Sequence, residues 1–151
     1  MQDKHAIQEY LHRHIPLSFA MGVRVVEAEP RKVTLWAPLE PNINHRETVF
    51  GGSASALCLL AAWALVHFRL QYEGHPCRVV IHKNTMSYDK PIPSDFTAIC
   101  TLENLETWNA FTLVLAKKGK ARVTLPASLA CGGEKVGSFE GTLVAIAQAP
   151  A

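Results

Sequence analysis

Ile7, Tyr10, Leu11 and His14 fall at helical spacing within residues 3–14, and Pro16 ends the pattern, so the chain is predicted to open on a short amphipathic helix. Two strand-like runs follow. Val23-Arg24-Val25-Val26 leads to a turn near Glu29-Pro30-Arg31, after which Val33, Leu35 and Ala37 alternate with Lys32, Thr34 and Trp36. Period-two alternation around such a turn predicts a hairpin. Pro38 and Pro41 close its second arm and open a polar loop from Asn42 to Thr48.

The run from Val49 to Phe68 is the most distinctive in the chain. Its one ionisable basic or acidic side chain is His67, and it opens Gly51-Gly52-Ser53-Ala54-Ser55-Ala56. About 20 apolar residues also match a membrane span. Gly, Ser, His and many Ala dilute this run, however, and it sits among amphipathic strands that need something to pack on. It is therefore read as the buried axis of a globular domain. Gly74 supplies the stop, after Arg69, Gln71 and Glu73 return the pattern to solvent.

The remainder is mostly strand. Arg78 to Tyr88 is β-rich and ends near Pro91-Ile92-Pro93, and Phe96, Ala98, Cys100 and Leu102 alternate with Thr97 and Thr101. Within residues 107–118, Trp108, Phe111, Val114 and Leu115 repeat at helical spacing. Thr107 is placed to cap that helix, Lys117-Lys118 complements its dipole, and Gly119 suits the position after its end. Ala121, Val123, Leu125, Ala127 and Leu129 then alternate with other residues, and a Gly132-Gly133 turn leads into Val136 to Ile146 as a terminal hairpin. Pro126 implies an edge strand or a bulge. The expected order is helix, two strands, long helix, then four strands with one helical interruption. That is an α+β chain of one domain over residues 1–151, with an antiparallel sheet. A helix apolar all round cannot be covered by a flat sheet on one side, so the sheet must curl around it or a second chain must close the rest.

Composition narrows the function classes. Hydrophobic residues are 48% and charged residues 19% of the chain, which suits a globular domain. The net charge is +2, with no basic run longer than Lys117-Lys118, so a nucleic-acid partner is not expected. The four cysteines, Cys58, Cys77, Cys100 and Cys131, form no C-x-x-C pair and fall in or beside apolar runs, as buried free thiols do. The seven histidines show no ligand spacing, so neither metal nor cofactor is expected. The N-terminus lacks an apolar h-region, and a reducing cytoplasm fits both it and the thiols.

The loop and helix start read Asn42-Ile43-Asn44-His45-Arg46-Glu47-Thr48-Val49-Phe50-Gly51-Gly52-Ser53. This stretch resembles the hot-dog thioesterases, whose central helix opens with a Gly-Gly pair after an Asn-bearing loop. P-N-I-N-H followed by T-V-F-G-G-S is similar, more narrowly, to the thioesterase family typified by the C-terminal domain of YiiD. Tyr88 with Pro91, and Phe139-Glu140-Gly141, fit it too, and the likeness covers roughly residues 5 to 146. It implies the hot-dog fold, an antiparallel sheet wrapped around a long central helix. It also implies an acyl-CoA or acyl-carrier-protein substrate in fatty acid metabolism, and a homodimer or dimer of dimers.

Gly-Gly at a helix start has a direct physical use. The first amide hydrogens have no partner inside the helix, the dipole places positive charge there, and an absent side chain lets a thioester carbonyl approach. The alternative is that Gly51 and Gly52 only permit tight packing. By the resemblance, Asn44 matches the Asn that orients water or the carbonyl, although Asn is also a turn residue. His45 is a candidate general base, as is Glu47. Phe50, Gly52, Ser53, His82, Tyr88 and Asp89 are expected to line the substrate, with Ser53 also expected to cap the helix. The chain departs from the pattern in two places. Ala56 to Ala61 carries no carboxylate where many relatives place one, and Phe50 stands where many have His. A base must then come from the loop, from Asp89 or His82, or from solvent. The departures keep three rivals open: a non-catalytic acyl-binding module, a partner domain of another enzyme, and a hydratase or dehydratase on the same fold.

Overall fold

The structure, a computed structural model, describes residues 1–148; residues 149–151 of the expected domain lie outside the described residues. The N-terminal helix α1 runs Lys4–His14, started by Asp3, whose side chain accepts from the Ala6 amide at 2.9 Å. Pro16 does end it, but the same proline then opens a second short helix, α2 (Pro16–Ala20), because its missing N–H costs nothing at a first helical position. The predicted hairpin is β1 (Arg24–Glu29) and β2 (Lys32–Ala37). The long helix α3 spans Gly51–Tyr72, two residues inside the expected start and four beyond the expected end. It is followed by β3 (Cys77–Tyr88), β4 (Phe96–Thr101), α4 (Leu105–Lys118), β5 (Lys120–Cys131) and β6 (Glu134–Ala147).

The six strands form one antiparallel sheet in the order β1-β2-β4-β5-β6-β3, and α3 lies across it, touching β2 through β6. This is the hot-dog arrangement. Leu57, Cys58, Ala61, Ala62, Ala64, Leu65 and Val66 of α3 are all fully buried, so the sheet and α1 account for the apolar sequence. The helix is long and apolar enough to cross a membrane by length and composition, yet 67% of its most apolar window is buried inside this one fold. Its alanines let strands approach closely, while Leu57 and Leu65 fill the space between. Burial pushes the Cys58 and Cys100 thiols up to about 12, which leaves both as inert core groups.

A half-buried face of α3 remains, formed by Ser55, Ala56, Leu59 and Trp63. Trp63 is held firmly. Its indole N–H donates to the Val79 carbonyl at 2.8 Å, and its ring stacks on His67 with centroids 4.5 Å apart. Burial, reinforced by His14, holds His67 below the ordinary imidazole range, so this stack is between neutral rings at neutral pH.

Two local expectations need correction. Asn104, not Thr107, caps α4: its side chain accepts from the Glu106 amide at 2.8 Å, while Thr107 lies inside the helix. Asn104→Ala should therefore lower unfolding free energy by about 1 kcal/mol in urea titration, while Thr107→Ala should stay within about 0.5 kcal/mol. Pro126 is neither on an edge strand nor at the β5 bulge, which falls between Leu129 and Ala130. Its strand lies between β4 and β6, but β4 pairing stops at Cys100 opposite Ala127, one residue short of the proline. An interior strand tolerates proline where the pairing to one neighbour has already stopped.

Candidate active site at the start of the central helix

The loop before α3 is built by its own asparagines. Asn42 is buried, donates from its side chain to the Met21 and Pro38 carbonyls at 2.9 and 2.8 Å, and accepts the Phe50 amide on its backbone oxygen at 2.7 Å. Ile43 bridges Val49, and Val49 in turn donates to the Ile92 carbonyl at 2.9 Å. The Asn44 side chain accepts from the Arg46 and Thr48 amides at 2.8 and 3.2 Å and donates to the Thr48 hydroxyl at 2.9 Å. Its polar atoms are thus spent on holding the loop closed. His45 and Glu47 are exposed at its tip, and Glu47 has a φ of 64°, a left-handed conformation that costs a side-chain-bearing residue about 1–2 kcal/mol. Glu47→Gly should therefore hold or raise the urea midpoint.

The result of this bracing is a helix start without a side-chain cap. Phe50 occupies the N-cap position, and its carbonyl accepts from the Ser53 and Ala54 amides at 2.9 and 3.1 Å. Ser53 does not cap, because a residue three positions into the helix cannot fold its hydroxyl onto the first amides. Among the described residues, neither the Gly51 nor the Gly52 amide hydrogen has an acceptor. The Phe50 ring folds back over Gly52, where an added Cβ would lie 2.4 Å from a ring carbon, so Gly52 makes room for that ring.

A cleft of about 370 Å³ opens beside Gly51, lined among others by Thr48, Ala54, Tyr88, Asp89 and Lys90. The Tyr88 hydroxyl donates to the Gly51 carbonyl at 3.0 Å. That carbonyl shares a peptide plane with the Gly52 N–H, so the contact orients the plane and polarises the donor at its other end. Both the Asp89 and Lys90 amides donate to the Val136 carbonyl, at 3.0 and 3.2 Å, and the Lys90 ammonium pairs with Glu134. Asp89 is the one carboxylate that lines this cleft among the described residues.

The structure therefore brings Gly51, Tyr88 and Asp89 together, with Gly52, Phe50 and Ser53 adjoining. His82 does not join them within one chain. It sits where the β3–β6 register slips, between Ile81 and Lys83, six residues and about 20 Å up the strand from Tyr88. Sequence reasoning does not single out Thr48 or Lys90. Their signal is slight: each adjoins a residue already chosen. No group of three or more His, Cys, Asp or Glu able to hold a metal occurs among the described residues.

Comparison with known proteins sets this geometry in a family. The family model described as "Putative thioesterase (yiiD_Cterm)" matches residues 4–147. A solved structure of a protein of unknown function from Chlorobaculum tepidum TLS superposes with a TM-score of 0.91 at 28% identity, covering 96% of this chain and 94% of that one. A "putative thioesterase" from Shewanella oneidensis gives 0.82 at 26% identity, over 95% and 96% of the two chains. A thioesterase from Haemophilus influenzae shares the fold at a TM-score of 0.77 with 14% identity, over 97% and 92%. The family match spans nearly every described residue, so the chain belongs to the thioesterase family typified by the C-terminal domain of YiiD.

Proposed function

We propose that this protein hydrolyses an acyl thioester carried by CoA or acyl-carrier protein. The observation that carries the reading is the pair of unpartnered amide hydrogens at Gly51 and Gly52, uncapped, beside a cleft that holds Asp89. A thioester carbonyl seated there accepts from both amides, and these stabilise the oxyanion when water adds to the carbonyl carbon. In this reading Asp89, which lines the cleft, takes the water proton, and Tyr88 and Asn44 are positioning residues that hold the donor peptide and the loop. The new C–O bond forms, the C–S bond breaks, and the thiolate leaves with the proton that Asp89 returns.

The protein works as a homodimer or dimer of dimers in this reading. Supporting it, β3 is an edge strand of 12 residues whose second half is largely exposed, the kind of edge that pairs with another chain. A partner is also the route by which His82 could reach a site. Cytoplasmic fatty acid metabolism is the setting that suits four unpaired thiols and an acyl substrate. A non-catalytic acyl-binding role has one observation in its favour, the absence of any carboxylate on α3. Purified protein assayed at neutral pH against a panel of acyl-CoAs and acyl-carrier proteins decides between them. Free thiol release supports hydrolysis. Tight binding without release assigns the binding role.

A further inference from the structure

Phe50 is 58% exposed, and it belongs neither to the hydrophobic core nor to the apolar side chains packed against that core. Among the described residues no other aromatic ring pairs with it. Its ring lies instead over Gly52, with three carbons 2.4, 3.0 and 3.2 Å from where a Cβ would stand. Tyr88 makes the contrast. Its ring lies against Gly51, 3.4 Å from the equivalent point, and its hydroxyl ties it there through the Gly51 carbonyl at 3.0 Å. A phenyl ring has no such tie. Of the two donor residues, Gly51 lines the cleft beside a fixed ring, whereas Gly52 lies beneath an untied one and does not line it.

The residue type at this position carries the argument further. Helices commonly begin on Ser, Thr, Asp or Asn, whose side-chain oxygen accepts from the second or third helical amide. Here the second is Gly52, and the third, Ser53, already donates to the Phe50 carbonyl at 2.9 Å. A polar cap would therefore hold the Gly52 hydrogen permanently. A phenyl ring is at best a weak acceptor, and it shields the donor only while it stays in place. The backbone beneath it is pinned. The Phe50 amide donates to the Asn42 carbonyl at 2.7 Å, and the Phe50 carbonyl accepts from both Ser53 and Ala54. Rotation of the side chain is the motion left, and at exposed residues such rotation is fast.

Resting on the hydrolase reading, we infer that the Phe50 ring is a positioning element, a cover over the Gly52 donor that an incoming thioester carbonyl swings aside. Gly51 then receives the carbonyl first, and Gly52 joins once the ring has turned. The ring makes and breaks no covalent bond. Its effect is on the fraction of molecules ready to bind, because apparent affinity falls in proportion to that fraction. A ring that hides about 80 Å² on the helix start, at about 25 cal/mol per Å², holds the uncovered form to about one molecule in thirty.

The test turns on a sign. The probe is the ketone analogue of tetradecanoyl-pantetheine, with a methylene in place of sulfur, and its binding is measured by calorimetry alongside thiol release from acyl-CoAs. Phe50→Ala removes the ring, and Gly52→Ala forces it out by placing a Cβ 2.4 Å from a ring carbon. Each should tighten binding by about 10- to 30-fold, and the double variant should gain no more than Phe50→Ala alone. Phe50→Ser uncovers the donor and then caps it, so its urea midpoint should rise while it binds about fivefold more weakly than Phe50→Ala. Without ligand, the Gly52 amide should exchange with water about 10-fold faster in Phe50→Ala, and Gly51 should stay within about twofold. Those results with no thiol release from any acyl-CoA keep the cover and end the hydrolase reading. Thiol release with binding unchanged or weakened in both Phe50→Ala and Gly52→Ala keeps the chemistry and overturns the cover, making Phe50 a fixed wall of the site. A probe that neither the native protein nor Phe50→Ala binds overturns the cover as well.

Discussion

Gly51→Pro is expected to lower kcat by about 10²–10³-fold, while Gly51→Ala stays within a few-fold of the native protein. The two substitutions differ in one respect that matters. Alanine keeps the amide hydrogen, and its Cβ would sit 3.4 Å from the Tyr88 ring, an ordinary contact. Proline removes that hydrogen and puts a methylene in its place. The backbone accepts the change, because Gly51 is the first helical residue, where proline is favoured. Phe50 before it already has φ −59° and ψ 133°, the extended conformation a residue preceding proline adopts. Urea midpoints should therefore agree for the two variants, so that a rate difference reports the lost donor and not a lost fold. Equal rates would mean that Gly51 serves packing alone.

The second large effect concerns the carboxylate that α3 lacks. Placing one in the helix interior, as Cys58→Asp, should cost about 3–5 kcal/mol at neutral pH. Cys58 is fully buried, and the burial that pushes its thiol up to about 12 acts on a carboxyl as well. The buried polar side chains among the described residues are Ser18, Thr34, Asn42 and His67, so no buried lysine or arginine is there to pair with the new charge. The sign with pH follows. Folding raises the pKa of this Asp above its unfolded value of about 3.9, so the penalty is smallest below that pH and grows as pH rises toward the folded pKa. Urea titrations at pH 4 and pH 7 should show the gap to the native protein widening at pH 7. Ser55→Asp, half-buried and in the second turn of the same helix, should stay within about 0.5 kcal/mol. This helix is filled with apolar side chains to the point where its interior would carry a carboxylate only at such a cost, and the carboxylate of the cleft, Asp89, lies instead just past the end of β3.

Much of this architecture is legible in the sequence because it is written locally. The alternation from Ala121 to Leu129, the long uncharged run of Val49 to Phe68 and the Gly74 and Gly119 stops each predict their element without reference to anything distant. Errors arise where a residue type has two uses. Pro16 both ends α1 and begins α2, and Asn104 and Thr107 are both good caps standing three residues apart. Whether Pro126 is at an edge depends on how far β4 extends, which no local pattern contains. The site divides in the same way. The Gly51-Gly52 motif and the Asn44 loop are contiguous in sequence, so they can be read. The Tyr88 contact to Gly51 bridges 37 positions, and the distance of His82 from the site depends on strand geometry and a register slip.

Thioester hydrolysis as proposed depends on two backbone N–H groups meeting a carbonyl oxygen, and nuclear magnetic resonance can observe those two directly. The probe is a ketone analogue of tetradecanoyl-pantetheine in which a methylene replaces sulfur, so that the carbonyl is retained and hydrolysis is blocked. The Gly51 and Gly52 amide resonances should move downfield on titration, more than those of any residue outside the cleft, with Tyr88 and Asp89 following. Saturable binding that leaves both glycine amides where they were, with the largest shifts elsewhere on the chain, would contradict it.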